Sequence, residues 1–485
     1  MTELQHAAKA TRPRIQPAEE GDRRPLSVSA RLGRLQFHQS GKFRVLQFAD
    51  IQDGPKVSKD TISLIEASLD ATRPDLVIFN GNQIAGYDSA YALTSRKRRW
   101  DARPASASSE ASGERYAAAL EHTRELVRAT IEQLVHPLAD RGVPWAVTFG
   151  NHDFQCGLDN DEIESICREF PGCINPERAA DGTTGIAVKH GVKHDVGDME
   201  QDFGLPEQPV IACAPGTFAL SVTDVDRTYD VLGLLDSGDY ARSGGYGSPS
   251  EAALRFLADA PGLMAAQSQQ LQQDRQDEQD SPREPRKTPS TLPCMVFQHF
   301  PIEQYYRLLK PVAATAARAI EGYRNFAGRH FVLNEDKTQP GSYLGEGVSC
   351  PDADSGEFAI LDKAGYFAIS AGHDHRNAFV GSVPVGTDGD RQMMMVASPT
   401  SGFGSYGPVP AKRAARLFEF DIRHPYEPRT QLLEYDELVG KPSAGKAYAY
   451  GMTSESKPDS EGMDLLHRPT WWSKTWNKLV SLFRR

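Results

Sequence analysis

The amino-acid sequence predicts an α/β protein built from layered sheets, on three observations. Short apolar runs alternate with helix-compatible stretches as far as residue 150, further apolar runs recur after residue 290, and five of the runs end in polar side chains able to bind metal. Strand, helix, strand, helix, strand is the pattern of a right-handed crossover sheet.

In chain order, residues 1–40 are polar, charged and proline-bearing without sustained periodicity, so they read as a flexible lead-in to a folded part that begins near 41. Phe43 to Phe48 reads as the first strand, Thr61 to Ala71 as a helix, Asp75 to Phe79 as the second strand, about Arg115 to Asp140 as a helix, and Pro144 to Phe149 as the third strand. A Ser/Ala-rich stretch within about 101–114 reads as a surface insertion. Between about 265 and 291, Gln, Asp, Arg and Pro dominate, and such a segment buries too little apolar area to offset its ordering entropy. It reads as a solvated linker. Strands follow at Cys294 to Phe297, Tyr366 to Ile369, Met393 to Val396 and Leu417 to Phe420, which places the main domain at 41–440 and a tail at 441–485.

Composition narrows the function. With 39% hydrophobic and 25% charged residues among 485, a sizeable core is possible, while 41 Gly and 32 Pro leave much of the chain for loops. Fifty-four Lys and Arg against 65 Asp and Glu give a net charge of −11, which disfavours general nucleic-acid binding. The six cysteines fall at irregular spacing without a CxxC pair and read as reduced thiols. The N-terminus lacks the apolar core of a secretory signal, and no run reaches the ~18 apolar residues of a spanning helix, so the cytoplasm is the expected compartment.

The chemistry-bearing residues sit just after the apolar runs. They are Asp50-Ile51-Gln52-Asp53, Asn80-Gly81-Asn82-Gln83, Gly150-Asn151-His152-Asp153, Gln298-His299-Phe300-Pro301 and Gly372-His373-Asp374-His375. In layered α/β sheets ligands bind at the carboxyl ends of strands, so loops spread over more than 300 residues of sequence are expected to meet in one crevice.

In these motifs and their order the chain resembles the calcineurin-like metallophosphoesterases, and within them the intracellular branch related to purple acid phosphatases. Leu235-Asp236-Ser237-Gly238, Gly345-Glu346-Gly347-Val348 and Gly402-Phe403-Gly404-Ser405-Tyr406-Gly407 add to the resemblance, which covers about 43–155 and 210–422. It implies a four-layer sandwich of two mixed β-sheets flanked by helices, with one or two divalent ions, Mn, Fe or Zn, at the strand ends. The first ion would be held by Asp50, Gln52, Asn82 and His375, the second by Asn82, Asn151, His299 and His373, with position 82 bridging. His152 would protonate the leaving oxygen while a metal-activated hydroxide attacks phosphorus. The implied activity is hydrolysis of a phosphoric ester, by a phosphatase or phosphodiesterase acting on a phosphorylated substrate.

Two positions depart from the family pattern. Gln52 stands where the pattern has His, and Asn82 where it has Asp, so neutral amides replace a ligand and the bridge. Asp50 is then the one carboxylate set against two divalent ions, a deficit that is costly in a dry crevice. The branch that tolerates loss of the first His recruits a tyrosine three residues after the bridge, but position 85 is Ala. Tyr87, Asp88 and Asp53 are the remaining compensators nearby. The alternative function is a catalytically degenerate pseudophosphatase that binds ligand or regulates on the same fold.

Two weaker signals remain. Arg96, Lys97, Arg98 and Arg99 form a basic cluster that reads either as a phosphate contact or as a solvated turn. At the C-terminus, residues 470–485 carry four cations and no acid, and Trp472, Trp476, Leu479 and Phe483 share one helical face. That segment reads either as a peripheral helix at the inner membrane face or as a helix docked on the protein itself.

Overall fold

The computed structural model describes residues 21–27, 30, 34–101, 110–177, 185–189, 208–224, 227–278, 291–441 and 454–455. Its strands, in chain order, are β1 (Lys42–Phe48), β2 (Leu76–Asn80), β3 (Trp145–Thr148), β4 (Gly185–Lys189), β5 (Gln208–Ala214), β6 (Thr217–Asp224), β7 (Arg227–Leu235), β8 (Cys294–Gln298), β9 (Leu309–Val312), β10 (Ile320–Glu321), β11 (His330–Leu333), β12 (Tyr343–Leu344), β13 (Tyr366–Ala371), β14 (Val380–Val385), β15 (Arg391–Ala397), β16 (Ala414–Asp421), β17 (Arg429–Glu434) and β18 (Ser454–Glu455). The helices are α1 (Lys59–Thr72), α2 (Glu110–Ala139), α3 (Asn160–Arg168), α4 (Glu251–Glu278), α5 (Glu357–Ala364) and α6 (Tyr435–Val439).

Two mixed sheets carry the fold, one in the order β17-β16-β1-β2-β3 and the other in the order β14-β15-β13-β8-β7-β6-β5-β4. Period-two alternation decides which side chain faces which layer. In β1, Phe43 and Val45 point between the sheets while Leu46 and Phe48 point to the helices; in β2, Leu76 and Ile78 go inward and Val77 and Phe79 outward. The second sheet answers with Met295 and Phe297 inward and Cys294 and Val296 outward. The inner core is therefore shared by both sheets. Residues of α1, α2 and α3 cover the first sheet, and Phe256, Leu257, Ala260 and Met264 of α4 with Leu361 of α5 cover the second. The result is the four-layer α/β sandwich predicted above.

Helix α1 shows how local sequence positions a layer. Ser58 caps its N-terminus, with its hydroxyl oxygen accepting from the Asp60 N–H, and Arg73 closes it in the left-handed region at φ 44° with its N–H on the Leu69 carbonyl. Ile65 and Leu69 lie on the face turned to the sheet.

Strands β1, β2 and β3 are mutually parallel, as are β7, β8, β13 and β15, so in each sheet the carboxyl ends share one edge. Hydrogen bonds across the sandwich tie those edges together. Asn80 Nδ2 donates to the Gln298 carbonyl at 2.7 Å, and Ser370 Oγ donates to Gln47 Oε1 at 2.7 Å.

The structure moves several expected boundaries. Folded chain begins before 41, since Leu35 and Phe37 are buried in the inner core, Gln36 bridges Thr223, and His38 Nε2 lies 3.0 Å from Asp75. Four residues of alternation are too short to signal a strand. The segment expected as a linker from 265 is helical to Glu278, with Ala265 and Ser268 buried. Its Gln, Asp and Arg are adequate helix formers once the Ala-rich first turns are anchored on the sheet. Helix α2 already begins at Glu110, inside the expected insertion. Ser454–Glu455, expected in the tail, pairs with β12. The amphipathic segment 470–485 lies outside the described residues.

Glu357 of α5 is buried with Oε1 unpartnered among the described residues, and burial pushes its carboxyl up to about 7, against a smaller opposing hydrogen bond from Gln298. The folded chain thus holds this proton more tightly than the unfolded chain does, so stability falls as pH rises from the ordinary 4.5 through that value. Glu357→Gln is expected to be more stable than wild type near pH 8, by on the order of 3 kcal/mol, with the gap closing below the ordinary glutamate range. Equal calorimetric midpoints near pH 8 would refute a buried charge at this position.

Candidate functional site

All eight sequence-predicted site residues lie at the shared strand edge. Asp50 and Gln52 follow β1, Asn82 follows β2, Asn151 and His152 follow β3, His299 follows β8, and His373 and His375 follow β13. Among the described residues seven non-glycine positions have positive φ, and four belong to this set: Asp50 at 49°, Gln52 at 48°, Asn82 at 53° and His373 at 71°. Such conformations cost about 1 kcal/mol or more each and persist only where surrounding structure enforces them.

Asp50 is fully buried. Its Oδ2 accepts from the His373 N–H at 2.6 Å, and its Oδ1 lies 3.4 Å from His375 Nε2 and 3.8 Å from His299 Nε2. Burial alone would raise this carboxyl, but the imidazoles of His299, His375 and His373 outweigh it and hold Asp50 well below the usual carboxylate range. In return, although burial works against it, Asp50 raises His375 above its ordinary value. Burial lowers His299 and lowers His373 strongly. The single carboxylate thus sits among three imidazoles, of which His375 is the one raised.

At the centre sits the Asn82 side chain. Its Oδ1 accepts from the His152 backbone N–H at 2.9 Å. That bond fixes the amide's orientation, because the reverse would set NH2 against N–H. Nδ2 must then point at Asp50 Oδ1 at 3.1 Å, Asn151 Oδ1 at 3.3 Å and His299 Nε2 at 2.9 Å. With the Asn80 carbonyl 3.3 Å from His299 Nδ1, the tautomer carrying its proton on Nδ1 leaves Nε2 free to accept. Three acceptors that would surround a cation instead surround an amide NH2.

The donor set does not fit a two-ion centre. An N–H donor occupies the bridging position, and the first-ion half retains a carboxylate already paired to imidazole. Among the described residues no group of three or more His, Cys, Asp or Glu side chains converges as a metal site. Gln52 presents an amide whose Nε2 donates to the Tyr87 hydroxyl at 3.0 Å, leaving Oε1 buried without a partner among the described residues. Tyr87 thus reaches position 52 after all, from two residues beyond Ala85. Asp53 and Asp88 do not serve as compensators. Asp53 Oδ2 accepts from Ser58 N at 3.0 Å and Thr61 Oγ1 at 2.7 Å at the start of α1, and Asp88 Oδ1 accepts from Ala90 N at 2.8 Å.

His152 is held by Gln155, whose Oε1 lies 2.7 Å from Nδ1, and by an edge-on contact with Tyr87 at 5.0 Å. Burial lowers it to about 4, so it is neutral near pH 7. Asp153 had no role in the sequence reading, yet it staples the loops after β2 and β3: Oδ2 accepts from Asn82 N and Gly150 N, each at 2.8 Å, and Oδ1 from Ile84 N at 3.1 Å. Its place beside His152 was the available signal. The basic cluster divides, with Arg96 paired to Asp159, Arg99 to Asp236 at 2.8 Å, and the Arg98 guanidinium 3.7 Å over the Tyr240 ring.

A profile described as calcineurin-like phosphoesterase matches residues 43–208, the stretch that supplies Asp50, Gln52, Asn82, Asn151 and His152. Over that stretch the chain is similar to the calcineurin-like phosphoesterases. It is similar to phosphatase DCR2 of Saccharomyces cerevisiae, 21% identical over 73% of this chain and 47% of that protein, so the match spans about half the length of the yeast relative. Two Arabidopsis thaliana proteins named probable inactive purple acid phosphatases 28 and 29 are 23% and 20% identical, over 79% and 94% of this chain and 77% and 92% of theirs. The match groups residues 43–208 with phosphoesterases, a family that typically uses divalent metal ions.

Close packing makes the Asn82 position sensitive to its neighbours. A Cβ on Gly150 would lie 2.2 Å from Asn82 Oδ1. Gly150→Ala is expected to lower stability by about 1 to 3 kcal/mol, read as a lower denaturant midpoint with an unchanged slope. A midpoint equal to wild type would show that the amide is not packed as described.

Proposed function

We propose that this chain binds phosphate esters at the strand-end pocket without two-ion hydrolysis, as a degenerate member of its family. The observation that carries the reading is the Asn82 amide, whose hydrogens face Asp50, Asn151 and His299 and so stand where the family's pattern has a bridging carboxylate between cations. An amide cannot supply the negative charge that two divalent ions need, and Asp50 is already balanced by His375. The two plant relatives named probable inactive agree in direction. Recognition falls to groups at the rim. Arg98 makes no ion pair among the described residues; one of its N–H groups donates to the Lys97 carbonyl, and its guanidinium remains charged beside the pocket.

A second reading, hydrolysis through a single ion on Asn151, His299 and His373 with His152 as proton donor, is favoured by two short approaches. His299 Nε2 lies 3.0 Å from Asn151 Oδ1 and 3.3 Å from His373 Nδ1. It requires the Asn82 amide to turn out of that space, against its bond to His152.

Metal content and a charge-restoring variant separate the two. In Asn82→Asp a carboxylate oxygen would face Asp50 Oδ1 across about the present 3.1 Å, a repulsion that only a cation relieves. The variant is expected to melt below wild type in chelator and to rise steeply with added Mn(II), by linkage of binding to folding. Wild type should carry well under one equivalent of Mn, Fe or Zn, respond little to Mn(II), and leave chromogenic phosphomonoesters and phosphodiesters intact. A purified wild-type chain holding two equivalents of metal, or turning over either ester with Mn(II), would overturn the proposal.

A further inference from the structure

Aromatic rings collar the polar centre, each set against a different member of it. Tyr87 is edge-on to His152 at 5.0 Å, the Tyr240 hydroxyl accepts from Asn151 Nδ2 at 2.8 Å, and Tyr246 is edge-on to His373 at 4.3 Å. Tyr406 lies parallel to the His375 ring, 4.2 Å away with 7° between planes. These rings come from three separate loops, after β2, after β7 and between β15 and β16, so no single local motif explains their convergence.

Two of the rings keep large areas in water beside a buried centre: Tyr87 is 52% exposed and Tyr406 39%. Burying such rings is favourable, and a ring in solvent next to a pocket is an unfilled stacking surface. His375 covers one face of Tyr406, and its exposed area is what remains for a ligand. The charge is complementary as well, because Arg98 stacks on Tyr240 at the same rim, with Asp239 as the acid in its field.

We propose that this collar is a subsite for a planar ring carried by a phosphate ester, the ring resting on Tyr406 and Tyr87 and the phosphate held at the rim by Arg98. The ligand class is therefore a phosphate ester of an aromatic alcohol or of a nucleoside. A flexible polyol phosphate has no flat face to offer, whereas a phenyl or purine ring has one. The inference rests on the phosphate-ester reading above and adds the class of ester.

Calorimetric titration of the full chain with phenyl phosphate, adenosine 5′-monophosphate, glycerol 3-phosphate and inorganic phosphate tests it. The two ring-bearing esters are expected to bind about tenfold tighter than glycerol phosphate, as stacking on an aromatic side chain provides. Which of the two leads tells an aryl ester from a nucleoside one. Tyr406→Leu and Tyr87→Leu, each checked by its melting profile, should erase the preference, read as the ratio of ring-bearing to glycerol phosphate affinity, and Tyr406→Phe should keep it. A preference that survives both leucine variants overturns the subsite. Equal affinity for all four phosphates overturns it too, but leaves phosphate-ester binding standing. Failure of every phosphate to bind overturns both.

Discussion

One hydrogen bond sets the polarity of the whole centre. The His152 backbone N–H, fixed in the loop after β3, donates to Asn82 Oδ1, and this turns the Asn82 NH2 toward Asp50, Asn151 and His299. Had position 82 been a carboxylate, the same N–H would still be satisfied, but the far oxygen would add a second negative charge beside Asp50. The difference between a cation-seeking centre and a self-contained polar network thus rests on one atom, nitrogen in place of oxygen.

The network is expensive to bury, and most of its polar groups are paired, Gln52 Oε1 being an exception among the described residues. Asp50, His299 and Asn82 are almost wholly removed from solvent, and the strained backbone at Asp50, Gln52, Asn82 and His373 is held by bonds between loops rather than within them. The Thr400 hydroxyl donates to the Asp50 carbonyl at 2.6 Å, the Gln52 N–H donates to the Asn82 carbonyl at 2.8 Å, and Asp153 gathers three N–H groups. Each closes a gap between loops that follow different strands. Charge balance is likewise internal, with His375 raised beside Asp50 while burial lowers His299 and His373. The rim differs in kind, with tyrosine rings and an arginine facing outward around a core that has closed on itself.

Much of this was legible in the chain. The apolar runs at Phe43 to Phe48 and at Asp75 to Phe79 marked strands whose two faces now lie in two different cores, and the polar residues directly after them marked the strand ends that carry the candidate site. Other features were not legible. Leu35 and Phe37 join the inner core through too short an alternation to read. Helix α4 runs on past its apolar stretch because helix propensity needs no core contact to extend an anchored helix. Asp53 sits next to the motif in sequence but turns to α1, Tyr406 stood in the quoted 402–407 motif without a role, and Tyr240 and Tyr246 carried no local signal; all three tyrosines reach the site from distant loops.

The sequence by itself determined the layered α/β architecture, the strand-end location of the candidate site and the neutral amides at positions 52 and 82, because periodicity and residue identity are local properties. Which way the Asn82 amide points, whether Asp50 is balanced, which acids are diverted and which rings crowd the mouth were decided only by tertiary structure. Those outcomes depend on distances of about 3 Å between atoms of residues up to 350 positions apart, and no one-dimensional pattern encodes a hydrogen-bond direction.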